Sequence, residues 1–71
     1  MMELSGQIIK INEELNYGFV SVKGHEDVFF SPNTEYISVT FGSLKVGDRV
    51  KIHVKNTERG LLAVSIAPAS S

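Results

Sequence analysis

Apolar residues in this chain come in short runs rich in Val, Ile and Phe. Gly, Asn, Asp and Pro break the runs, and helical spacing is hard to find. The pattern predicts five strands, at about residues 4–12, 18–23, 27–31, 49–56 and 61–67. Asn16 closes the first link in a left-handed conformation that most residues avoid. Gly24 shapes a hairpin turn, and the turns before the fourth and fifth strands hold Gly47 and Gly60. Residues 32–44 are too long for a simple turn. They hold either a short extra strand at 36–40 or a mobile loop.

Alternation assigns the faces. On the second strand Gly18, Val20 and Val22 point one way, while Tyr17, Phe19 and Ser21 point the other. On the third, Val28 and Phe30 oppose Asp27, Phe29 and Ser31. A face carrying Asp27 and Ser21 is the solvent face, so Tyr17, Phe19 and Phe29 lie outside. The expected core is Val20, Val22, Val28, Phe30, Val50, Ile52, Val54, Leu62, Val64 and Ile66. Alternation also allows a plainer role, in which Tyr17 and Phe19 cover a barrel opening. The first strand places Ile8, Ile9 and Ile11 on both faces, which a β-bulge near Ile9 reconciles. Five short strands with one long connection between the third and fourth suggest an all-β fold, a five-stranded antiparallel barrel of the OB type.

The chain has 71 residues, so one domain is expected across 1–71, with an ordered core at about 4–67 and a frayed tail at 68–71. Absent cysteine excludes disulfide staples and Cys-based zinc sites and fits a reducing compartment. No signal peptide or apolar run of membrane-spanning length is visible, so the reading is cytoplasmic, with no membrane partner. Seven Lys and Arg against eight Asp and Glu give a net charge of −1, which argues against gripping duplex DNA by phosphate neutralisation. Single strands remain open, because base stacking on rings carries more of that energy.

The segment "GQIIKINEELNYGFVSV", followed by "EDVFF", resembles the cold-shock domain. That family is a five-stranded OB barrel binding single-stranded RNA and DNA. The matching positions are Gly6, Asn12, Tyr17-Gly18-Phe19-Val20 and Asp27-Val28-Phe29. The likeness continues through "FGSLKVGDRVKIHV" and "ERGLLAVSI", from Gly6 to Pro68. It implies that Tyr17, Phe19 and Phe29 are the base-stacking platform and that Phe41 is a loop aromatic closing over the bases. It further implies polar base contacts from Asn12 and Asp27, with Arg59 near the strand path; Ser31, on the face of Phe29, joins this set.

The chain departs from the family pattern at several positions. Lys10 replaces the first-strand tryptophan. Ser31 and Pro32 stand where the family has His and Phe. Asn16 replaces a glycine, a change its left-handed tolerance makes benign. At about 1–3 kcal/mol per stacked base, losing three platforms removes roughly 3–9 kcal/mol. A nanomolar binder then becomes micromolar or weaker. Lys10 returns part of this through a phosphate contact, with stronger salt dependence. The expectation is weak, salt-sensitive binding to short single strands, RNA foremost, as an RNA chaperone and without a cofactor.

Other chemistry is sparse. His25 and His53 lack a third ligand at metal-binding spacing, so no metal site is expected. Glu13, Glu14, Glu26 and Asp27 have no nucleophile to serve, and Ser5, Ser21 and Ser31 have no triad partners; no enzyme is expected. Lys51 and Lys55 share a face of the fourth strand, as a backbone-tracking stripe or as solvated guards against strand aggregation. A monomer is expected. The rival reading is a barrel that has lost nucleic-acid binding and uses "FFSPNTEYISVTF" as a protein-interaction surface; strand exchange through the long loop is a third.

Overall fold

The computed structural model describes residues 2–69. The strands among them are β1 (Met2–Asn12), β2 (Tyr17–Ser21), β3 (Val28–Phe30), β4 (Glu35–Tyr36), β5 (Arg49–Thr57) and β6 (Gly60–Pro68). Their order is β3-β2-β1-β5-β6-β4, and an added β3–β6 pairing closes five of them into a barrel. The pairings are antiparallel except where β6 runs parallel to β3 and to β4. The expected five-stranded OB-type barrel is therefore present, with a parallel seam. Pro68 is the last residue of β6 rather than part of a tail; Ser70 and Ser71 of that expected tail lie outside the described residues.

β1 is long because it serves both halves of the barrel. Its first half pairs with β5 and its second with β2. Between them, Ile8 pairs with Val20 and Lys10 with Phe19, so Ile9 is a bulge without a partner. Ile8 is 1% exposed and Ile9 46%. In an unbroken strand Lys10 would share the inward face of Ile8; the extra residue turns it outward beside Phe19.

The most deeply buried large side chains are Phe30, Ile8, Ile52, Ile66, Val20, Val28, Val50 and Val54. On β6 the expected core face needs correction. Ile52 pairs with Ile66 and His53 with Ser65, but Val54 pairs with Ala63, leaving Val64 as a second bulge. Upstream of it the phase inverts. Leu61 and Ala63 are buried, whereas Leu62 and Val64 are half-buried on the outer side.

Asn16 is left-handed, with φ 57°, as its place in the turn demands. Gly18 answers a different need. A Cβ there would run into the Lys10 carbonyl and the Phe30 ring. Neither can retreat without opening the β1–β2 ladder or the core. Gly18→Ala is expected to cost about 1–3 kcal/mol or more. Calorimetry should show the thermal midpoint falling by about 10 °C.

The segment after β3 does hold a short extra strand, β4, but at Glu35–Tyr36 rather than 36–40, and the rest is not a free loop. Thr34 Oγ1 donates to the Ala63 carbonyl at 2.9 Å and accepts from the Ser31 amide at 3.0 Å. The Ile37 amide donates to the Ile66 carbonyl at 2.9 Å, and a 3₁₀ turn follows at Phe41–Ser43. The Tyr36 hydroxyl donates to the Ser31 carbonyl at 2.8 Å. Desolvation by burial raises the Tyr36 phenol above its ordinary pKa. The folded state then holds that proton more tightly than the unfolded chain does. This contribution is complete below the usual phenol range and is lost as pH rises through the raised value. Tyr36→Phe should cost about 0.5–1.5 kcal/mol. Urea midpoints between about pH 8 and about pH 11 should fall less steeply for the variant than for the parent.

Candidate nucleic-acid interface

β2 and β3 each send one face into the core and one outward. Gly18, Val20, Val28 and Phe30 go in; Tyr17, Phe19 and Phe29 are half-buried on the outer side. Phe19 and Phe29 are directly paired across the strands. Ring centroids lie 5.5 Å apart for Phe19–Phe29, 5.7 Å for Tyr17–Phe29 and 6.3 Å for Tyr17–Phe19. These separations suit mutually supporting aromatic pairs.

Each remaining residue of the expected site has a definite place. Lys10 is exposed and pairs with Phe19 across β1–β2. Asn12 accepts the Leu15 amide through Oδ1 at 2.9 Å, and its Nδ2 lies 3.5 Å from the Tyr17 hydroxyl. It therefore locks the turn and steadies Tyr17, with one Nδ2 hydrogen and one Oδ1 lone pair left for a ligand. Asp27 is exposed immediately before β3. Ser31 accepts the Asn33 amide through Oγ at 3.2 Å, tying it into the loop network. Arg59, exposed in the β5–β6 turn, lines a recess of about 380 Å³ with Phe19, Phe29, Thr57, Leu61 and Leu62.

Phe41 stands apart from this group. Among the described residues its ring pairs are with Phe30 and Tyr36, each at 6.2 Å. The 3₁₀ turn carries it onto the barrel core instead of over the rings. Sequence reasoning missed Thr57 and Leu62 as lining residues, because the Val64 bulge hides which way Leu62 points. It also missed Glu26, whose Oε1 accepts the Leu61 amide at 3.0 Å and pins the β2–β3 turn to β6. No local signal marks that contact, since the partners are 35 residues apart.

His53 Nδ1 lies 3.0 Å from Ser65 Oγ, and its Nε2 lies 3.7 Å from Glu3. Among the described residues no group of three His, Cys, Asp or Glu side chains is placed to hold a metal, and no helix is long and apolar enough to cross a membrane.

Fold and site define a small OB-type barrel with an aromatic platform on one sheet face. The family model of the "'Cold-shock' DNA-binding domain" matches residues 4–69. The chain belongs to that family, a family of nucleic-acid-binding domains and not of enzymes. Among solved structures it is similar to a tryptophan-to-alanine variant of CusF with Cu(II), from Escherichia coli. The TM-score is 0.69 at 14% identity, over 97% of this chain and 91% of that one. At that identity the likeness is one of fold. Among curated proteins no match is found.

Proposed function

We propose that this protein binds short single strands, RNA foremost, by stacking bases on Tyr17, Phe19 and Phe29, and that it acts as an RNA chaperone in the cytoplasm. The observation that carries this reading is the trio of rings within 5.5–6.3 Å of one another on one outer face. Lys10 and Arg59 meet the strand backbone from opposite sides of the rings. Asn12 orients Tyr17, while Asp27 and Ser31 supply polar contacts to base edges. In this reading Phe41 braces the barrel end and touches no base. The protein works as a monomer, since one chain carries the whole platform.

Three rings and two nearby cations support binding in the micromolar range rather than the nanomolar. Without the first-strand tryptophan, phosphate contacts carry a larger share of the energy. Titration of six-nucleotide oligouridylate and oligothymidylate, followed by Tyr fluorescence, tests this. Affinity should fall with salt, and the uridylate should bind the tighter. Lys10→Ala should lower the log–log salt slope by about 0.7.

The net charge of −1 and the shortened platform favour a second reading, a protein-interaction module using the segment 29–41. It gains if neither strand binds at millimolar concentration.

A further inference from the structure

The β3–β6 seam carries the outer face further than the three rings. Phe29 pairs in parallel register with Leu62, and Leu62 pairs with Lys55 on β5. With Lys10 opposite Phe19 and Phe19 opposite Phe29, one transverse row crosses five strands. It reads Lys10, Phe19, Phe29, Leu62, Lys55. Cross-strand partners project to the same side of a sheet, so these side chains share the outer surface. A cation ends the row on each side, and both lysines are exposed.

Leu62 is the ridge between two recesses. On one side lies the cavity it shares with Phe19, Phe29 and Arg59. On the other lies a second recess of about 270 Å³, where Ser31, Asn33, Lys55 and Val64 are among the lining residues. The Asn33 side chain is exposed there, and its backbone amide is already committed to Ser31. The amide group at its tip offers both a donor and an acceptor, as a base edge requires.

We infer that the single strand continues past Phe29, over the aliphatic ridge of Leu62, into this second recess, where Lys55 meets a phosphate and Asn33 a base edge. This rests on the stacking of bases on the rings proposed above. Leu62 supplies the apolar contact on the side opposite the lost tryptophan, moving the footprint from β1 towards β5 and β6. The row passes through every strand of the closed barrel, so four inter-strand steps of about 4.8 Å give a curved contour of about 19 Å around it. That is room for roughly four to six nucleotides, inside the range of an OB barrel. The occupant is the same strand, because the two recesses share Leu62 as a common wall and a chain leaving the first over that ridge meets the second.

Strand length separates the two parts of the footprint. Affinities of three- and six-nucleotide oligothymidylates are measured by isothermal titration for the parent, Leu62→Ala, Lys55→Gln and Phe29→Ala. Leu62→Ala should weaken the six-nucleotide strand about three- to tenfold and the three-nucleotide strand hardly at all. Lys55→Gln, an exposed change that leaves packing intact, should lower the salt slope of the longer strand alone by about 0.7. Phe29→Ala should weaken both strands. If Phe29→Ala does so while Leu62→Ala and Lys55→Gln leave the longer strand unchanged, the extended track is wrong and the ring platform stands. If Phe29→Ala changes neither strand, the platform falls and the track falls with it.

Discussion

Phe30→Ala should leave the protein largely unfolded or close to it. Phe30 is fully buried, covers Gly18 from within and packs against Phe41. Truncating a buried Phe costs about 3–5 kcal/mol, because the cavity left behind collapses only in part. A domain of this length holds roughly 4–10 kcal/mol in total. The loss therefore consumes much of the stability and lowers the thermal midpoint by at least about 12 °C. Phe29, one residue away in the chain, faces the other side and should cost far less on truncation. Urea unfolding followed by circular dichroism measures both. The difference between the two variants reports directly which way each ring points.

Phe29→Ala should have the larger effect on binding. Its ring is the middle of the trio, 5.5 Å from Phe19 and 5.7 Å from Tyr17. Its removal takes away one stacking surface and the support of two others. A stacked base is worth about 1–3 kcal/mol by alanine substitution, so affinity for oligouridylate should fall roughly 5- to 150-fold. Phe19→Ala and Tyr17→Ala should each cost less, since each keeps one of the two closer pairs made by Phe29, whereas Phe29→Ala leaves only the 6.3 Å Tyr17–Phe19 pair. Fluorescence anisotropy with a labelled six-nucleotide strand gives the ratios. Equal, small losses at all three positions would mean that the rings do not act as one surface.

Much of this was legible from alternation. The period of two on β2 and β3 put Val20, Val28 and Phe30 inside and the three other rings outside, and the coordinates agree. The Ile9 bulge was legible because three isoleucines cannot satisfy one face of a regular strand. The Val64 bulge was not. Leu61, Leu62, Ala63 and Val64 are all apolar, so a phase inversion leaves no mark in the pattern. Position 41 was ambiguous for a related reason, since its aromatic character is equally suited to a ligand and to the core, and its packing on Phe30 is visible only in the fold. The tie between Glu26 and Leu61 depends on barrel closure, which no local pattern encodes.

The most direct test of the ring platform is an amide-resolved titration with six-nucleotide oligouridylate at low salt. Shifts should concentrate at Lys10, at 17–19, at 28–30 and at 59–62, with Asn33 and Lys55 added where the strand follows the extended track, and should fade together as salt is raised. Shifts centred on 33–41, or a spectrum unmoved at millimolar strand, would contradict the assignment of Tyr17, Phe19 and Phe29 as the surface on which bases lie.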